Sequence, residues 1–385
     1  MMANNVGGTF EPTFQLLFAD LGAGAVSTTE SKRGIAATFT RATTAWTKLS
    51  SGLWASVASG TARSFYAGFT TAVGSYLGYL AEGARTNLCL QARDTSNASW
   101  TKVNMTAAKD QVGIDGSANS ASSLTATAIN GSCLQTITEA ATLSAFSVFI
   151  KRITGTGTVT IQQGASTSEI SAQLNSSTYT RVELDASVLN PAIGIVLGTS
   201  GDKIAVDMFQ FENGAAAGTP IPTTTISVTR NADTLTYPSA GVVLAGVGTL
   251  YEEHTIVSSS VLASATFACI DDGTANNKID SRQGSGTPTS WIGEVLDATV
   301  AQSSVAVAGV VVNTAYKAVF AWAANDMAGV LNGTLSTDVA GTIPVGLTTI
   351  RIGTTASATQ PFAGIKSVRL YSTRLPNAVL QQLAT

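Results

Sequence analysis

The chain has 385 residues, 44% of them apolar and only 12% charged, with a formal net charge of −3. That length calls for more than one hydrophobic core, and the scattered Lys and Arg form no basic stripe to neutralise phosphates, which excludes nucleic acid as a main partner. No apolar run approaches the roughly 18 residues of a membrane span, which excludes membrane insertion.

Met1 to Gly8 have neither the basic start nor the apolar stretch of a secretory signal, so synthesis and assembly in a cytoplasm are expected. Up to residue 80 the apolar pieces are short (14–18, 35–39, 52–57) and show no long alternation. Residues 1–80 are therefore expected to form an irregular attachment segment that needs a partner surface to become ordered. From 81 onward short apolar/polar alternations follow one another, at 146–151, 158–161, 180–184 and 204–211, the period-2 pattern of half-buried strands. The glycines and prolines of 214–222 cannot continue a central strand and mark a crossing loop. A boundary near Tyr237 follows, giving a first β-sandwich over 81–236.

A second series, over 237–385, runs through 248–256, 264–270, 305–312 and 316–322. Asn332-Gly333 supplies the two positive-φ positions of a type I′ hairpin. Strands at 349–353 and 364–371 precede a short helix over 376–383, with Pro376 in its first turn and Val379, Leu380 and Leu383 on one face. The fold class expected is all-β: two consecutive jelly-roll-type β-sandwiches after an irregular N-terminal attachment segment.

The chemistry-bearing residues are sparse. His254 is the single histidine, and Cys89, Cys133 and Cys269 are widely spaced in small or apolar settings. They read as reduced, buried thiols and not as a disulfide frame or zinc site. Glu252 and His254 share one face of a strand and Glu253 the other. They are expected to be solvated, because no second, facing carboxylate of the kind glycoside hydrolysis uses is identified. A hydrolase acting through Glu252 or a loop Asp is the enzymatic alternative. Asp271, Asp272, Asn276 and Asn277 cluster oxygen atoms that a calcium ion could take, but the spacing of a calcium loop is missing and a self-bonded turn is expected. Trp46, Trp54, Trp100, Trp322 and Tyr179 are expected in the core. Trp291, after the loop-like stretch 286–290, is the candidate platform for stacking on a sugar ring. No catalytic residue, metal ligand or cofactor is expected.

Three stretches carry a resemblance. Phe39-Thr40-Arg41-Ala42-Thr43, Gly52-Leu53-Trp54, the run Gly78-Tyr79-Leu80-Ala81-Glu82-Gly83-Ala84-Arg85-Thr86-Asn87-Leu88, and Trp100 resemble the F-x-R-A-T … G-x-L-x-E-x-x-R-T-N-L … W lead-in to a carbohydrate-binding-module-like sandwich in phage tail-fibre, tail-spike and head-appendage proteins. Residues 210–214, 220–223 and 228–233 look like that sandwich's closing strand and exit. Residues 248–383 are similar to a laminin-G or concanavalin-A-like jelly roll. The resemblance implies a non-enzymatic virion structural protein, often a homotrimer, with other virion proteins as partners and sandwiches able to engage bacterial surface polysaccharide. A capsid decoration protein without receptor binding, and a bacterial adhesin or lectin, are the alternatives. Within the motif stretches, Glu82, Arg85, Arg230 and Asp233 are expected to form structural or interdomain ion pairs. No long β-helix repeat lies between the sandwiches, so the body of a depolymerising spike is missing.

Overall fold

The computed structural model describes residues 10–244, 246–258, 265–284, 290–358 and 360–385. Alternating apolar and small polar residues, with many Val, Ile and Thr between turns, give strands throughout. The described residues contain one α-helix, Asn377–Leu383, and one 3₁₀ turn, Ser171–Gln173.

Two antiparallel five-stranded sheets make the first sandwich. One has the order Thr101–Val103, Gly131–Thr136, Ala192–Leu197, Val159–Gln163, Ser166–Glu169. The other has the order Met105–Gln111, Ala121–Ala126, Lys203–Asn213, Leu143–Thr154, Thr180–Ser187. Alternation sends Leu124, Phe146, Val148, Ile161, Ile195 and Phe209 inward to one core, where the Trp100 ring lies 4.4 Å from that of Phe209.

The second sandwich is built from both ends of the chain. Its larger sheet places Gly248–Ile256 between Ala315–Ala323 and Ala363–Tyr371, and extends across Ala363–Tyr371 to Tyr76–Ala81 and Ser64–Tyr66, with Phe14–Leu17 also paired to Ala363–Tyr371. Its other sheet runs Val300–Ala308, Ser290–Asp297, Lys278–Gln283, Thr266–Asp271, Thr349–Ile352, Thr234–Pro238, Thr38–Thr40. The two sandwiches are therefore nested. The chain leaves the second sandwich after Tyr76–Ala81, builds the first, and returns at Thr234–Pro238. Arg85–Asn87 and Val228–Arg230 pair antiparallel as the two-stranded stalk of the insert.

Nesting changes the place of residues 1–80. The segment was expected to need a partner surface, and its described residues find that surface in their own chain. Phe14, Leu16 and Phe18 face the large core, and the open edges of both sheets supply backbone partners for strands too short to stand alone. Residues 1–8, where the missing signal was read, lie outside the described residues, as do Ser264 and positions 286–289. The expected strand at 305–312 is instead Val300–Ala308, with a loop after it.

Trp46, Trp54 and Phe65 pack across the junction onto Phe149, Ala205 and Met208 on the outer face of the insert. The Trp54 ring lies 5.5 Å from Phe149. At the far side Leu380 and Ala384 cover Tyr251, Val319 and Val330, so the expected helix closes the outer face of the larger sheet. The hairpin at Asn332-Gly333 has φ values of 44° and 83°, as a type I′ turn requires. Gly78, at φ 95°, runs so close to Ile365 that a Cβ would collide with its carbonyl oxygen.

Candidate functional site at the sandwich junction

The motif residues, far apart in sequence, converge at the junction. Glu82 follows Tyr76–Ala81, Arg230 ends the stalk, Asp233 precedes Thr234–Pro238, and Arg41 follows Thr38–Thr40. Arg63 is the hub. Its guanidinium donates to Asp233, to Glu82 at 3.0 Å, to the Thr219 hydroxyl at 3.0 Å and to the Trp46 carbonyl at 2.7 Å. Arg41 reaches Asp233 at 2.8 Å and Arg230 reaches Glu82 at 3.0 Å. The Thr219 backbone N–H and hydroxyl also donate to Glu82, at 2.7 and 2.8 Å. Every side chain in this network is buried, with Arg63 and Asp233 at 0% exposure. Burial pushes the Glu82 carboxyl up, but the Arg230 and Arg63 guanidiniums outweigh it and hold the group below the usual carboxylate range. Glu82, Arg230 and Asp233 thus form the expected ion pairs. Arg85 does not join them.

Arg63 lies outside the motif strings. The trace it leaves is a lone charge in the small and apolar run Ala62-Arg63-Ser64-Phe65. Asn87, in the same motif string as Glu82, satisfies backbone and no ligand. Its amide donates to the Phe209 and Ile221 carbonyls, and its oxygen accepts from the Cys89 and Phe211 N–H groups. A second ion cluster stands beside the junction. Arg93 forks onto both oxygens of Asp115 at 2.9 Å and onto Asp207 at 2.8 and 2.9 Å, with its guanidinium 5.4 Å from the Trp46 ring.

Trp291 is not a sugar platform: it is 1% exposed, inside the larger core. The alternation of Ser290–Asp297 turns Trp291, Gly293 and Val295 inward, and the indole N–H donates to Ser281 at 2.7 Å. Gly329 on the facing sheet leaves room for the ring, since a Cβ there would lie 2.7 Å from it. Glu252 and His254 do share a face, but it is the inner one and not a solvated one, at 0% and 2% exposure. Glu252 accepts from the Ser281 hydroxyl, and the His254 ring stacks 3.7 Å from Phe267. A carboxylate so enclosed cannot meet a polysaccharide. In the acidic loop, Asp271 accepts from Arg351 and from the Gly273 N–H, and Asp272 from Thr274 and Asn277. Their oxygens are bonded within the chain as a self-bonded turn requires. Trp54, Trp100 and Trp322 are 1% exposed, Tyr179 3% and Trp46 9%, all packed in cores.

Two depressions bear on ligand binding. A groove of about 530 Å³ is lined by Tyr76, Glu253, Lys317, Asn332 and Lys366. Several of its polar groups are already engaged, with Glu253 accepting from Tyr251 at 2.8 Å and Lys317 bonded to the Thr385 carbonyl at 3.0 Å. A cleft of about 270 Å³ at the junction is lined by Gly83, Arg85, Gly218, Gln360, Pro361 and Phe362 among others.

No family model matches the chain, and no curated protein is similar to it. Among solved structures, it is similar to the CBM40 of a sialidase from Ruminococcus gnavus, with 16% identity over 38% of this chain and 87% of that one, at a TM-score of 0.33. Domain 4 of a GH43 extracellular arabinanase from Geobacillus stearothermophilus, in complex with arabinotriose, matches with 13% identity over 40% and 73% of the two chains, at a TM-score of 0.31. The tandem CBM22 domains of Xyn10C from Paenibacillus barcinonensis match over 76% of this chain and 100% of that one, with 8% identity and a TM-score of 0.26.

Proposed function

We propose that this chain is a non-catalytic structural protein of a bacteriophage virion, a tail fibre, spike or head appendage that displays nested β-sandwiches for attachment to bacterial surface glycan. It would assemble in the host cytoplasm with other virion proteins, as a homotrimer. One observation carries the reading. Arg41, Glu82, Arg230 and Asp233, which hold the resemblance to phage appendage proteins, meet in one buried network that locks the insert to its host sandwich. The motif strings thus encode a rigid display body, the property an appendage needs when it presents a surface away from a particle. The hydrolase alternative loses its leading residue, since Glu252 is enclosed in the core.

The test is immunogold electron microscopy of phage particles, using antibody raised against the purified chain. Gold at one structural position on the particle supports the reading. Particles that carry no label while the antibody still recognises free protein in the same lysate overturn it.

A further inference from the structure

The motif string that supplies Glu82 and Asn87 to structural roles leaves Arg85 over. Among the described residues the Arg85 guanidinium has no hydrogen-bond or ion-pair partner, and Arg85 lines the 270 Å³ cleft between the two sandwiches. It also sits directly opposite Arg230 in the stalk pairing. Like charges facing each other across an antiparallel pair oppose pairing unless an anion lies between or beside them. Arg230 answers this with Glu82; Arg85 has no such answer among the described residues.

A count of charge at the junction gives the same sign. Arg41, Arg63, Arg85 and Arg230 stand with Glu82, Asp233 and Glu212, four guanidiniums to three carboxylates, which leaves one cation over. Glu212, the third of these acids, accepts from the Gly218 N–H at 2.7 Å, and burial pushes its carboxyl up. Arg181 and Glu183 balance each other nearby. Behind Arg85, the Nε and Nη1 of Arg230 are buried without a hydrogen-bond partner. The cleft lining carries one unpaired cation, Arg85, and one carboxylate, Glu82, whose charge is already taken up by Arg63 and Arg230 behind it. Its walls are small or apolar: Gly83 and Gly218 keep the backbone low, and Pro361 and Phe362 present carbon surface. The volume falls just below the roughly 300 Å³ at which pockets for drug-sized ligands begin, which suits one sugar ring better than a chain of them.

Resting on the attachment reading above, the geometry points to this cleft as the subsite for a carboxylate-bearing sugar, a uronic acid unit of an acidic surface polysaccharide. The Arg85 guanidinium forks onto the carboxylate, and Pro361 and Phe362 pack against the carbon face of the ring. A planar guanidinium matches a carboxylate in two parallel charge-assisted hydrogen bonds, whereas the hydroxyls of a neutral sugar accept only uncharged and weaker ones.

The probe is tetragalacturonate, titrated calorimetrically into the full chain beside its fully methyl-esterified form. The expected result is that esterification and Arg85→Ala each weaken binding by about tenfold or more, the scale of one charge-assisted pair, and that affinity falls as salt rises. Ala232→Trp, which fills the cleft and leaves every charge in place, has the same effect, so the result does not depend on the folding of one variant. Equal binding of acid and ester, or undiminished binding by Arg85→Ala, overturns the subsite. In parallel, the labelled chain is bound to host cells. Attachment that survives both Arg85→Ala and carboxyl reduction of the surface polysaccharide overturns the subsite and leaves the attachment reading standing. No attachment of the wild-type chain to any host surface overturns the reading itself and the subsite with it.

Discussion

Replacing Arg63 with Met removes the hub of the junction network and keeps a long apolar stem in its place. The wild-type guanidinium bonds Asp233, Glu82, Thr219 and the Trp46 carbonyl, all at full burial. Breaking a buried ion pair from one side costs about 3–5 kcal/mol, because the charge left behind has no water to return to. Here each acid keeps one cation, Asp233 through Arg41 at 2.8 Å and Glu82 through Arg230 at 3.0 Å, so the loss belongs at about 3 kcal/mol, the lower end of that range. Asp233→Asn alone takes from Arg41 its carboxylate and leaves Arg63 and Arg230 together on Glu82. The double variant Arg63→Met/Asp233→Asn takes one charge of each sign away and leaves the Arg230–Glu82 pair intact. It should therefore be less destabilised than the sum of the singles, by about 1–3 kcal/mol of coupling. The assay is urea unfolding followed by tryptophan fluorescence and far-UV circular dichroism, with all four proteins under one buffer. A cost below about 1 kcal/mol for Arg63→Met, or strict additivity in the double variant, would refute the claim that this network holds the sandwiches together.

Four further outcomes follow from residues already placed. Burial pushes the Asp115 carboxyl up, but the Arg93 hydrogen bonds and charge outweigh it and hold the group at about 2, against 3.8 for a free side chain. A depressed carboxylate stabilises above its unfolded value and stops doing so as pH falls through its folded one. Asp115→Asn should therefore cost about 1 kcal/mol at pH 7, discounted for partial exposure, and only a small fraction of that at pH 2, where the folded group is half protonated, as read from urea midpoints across that range. Trp291→Ala should cost about 3–5 kcal/mol by opening a cavity in the larger core, measured by the same unfolding, and should leave cell attachment unchanged where the protein is folded. Burial pushes the Cys133 thiol up to about 12 and lifts Cys89 and Cys269 well above the usual thiol value. A thiol-reactive disulfide reagent at pH 8 should accordingly label none of the three in native protein and all of them in urea. Gly78→Val should fail to yield soluble protein or should lower the melting temperature sharply, because φ 95° and the Ile365 carbonyl leave its side chain no place.

The all-β class and the strands of the insert were legible because period-2 alternation is a local property: Phe146, Val148 and Ile150 announce their inward face without reference to anything else in the chain. The nesting was not legible, since it depends on which sheet edges remain open. Nothing in Phe14-Gln15-Leu16-Leu17 says that its partner is Ala363–Tyr371, more than 340 residues away. The same limit explains Trp291. Its preceding Gly, Thr and Ser residues look like a loop, and only the pairing of Ser290–Asp297 with Lys278–Gln283 fixes which way the indole points. Glu252 and His254 were placed on a common face by strand geometry. Which face that was depended on Phe267 and Ser281 arriving from the other sheet.

The motif strings behave differently from the rest of the sequence because they stand where the chain crosses between sandwiches. An insert joined by two adjacent strands can swing about its stalk unless something beyond the stalk resists. Two features resist here, the apolar packing of Trp54 on Phe149 and the ion network behind it. Apolar packing is tolerant of sliding, whereas paired guanidiniums and carboxylates at full burial have few geometries in which all are satisfied. The network therefore fixes the angle that the packing alone would leave soft. A cleft bounded by both sandwiches keeps its shape only if that angle is fixed, which ties the ligand geometry at Arg85 to Arg63 on the opposite side of Glu82. Arg63→Met should accordingly weaken tetragalacturonate binding even where the protein is still folded, although Arg63 does not line the cleft. Unchanged affinity in that variant would mean that the apolar packing suffices to hold the angle.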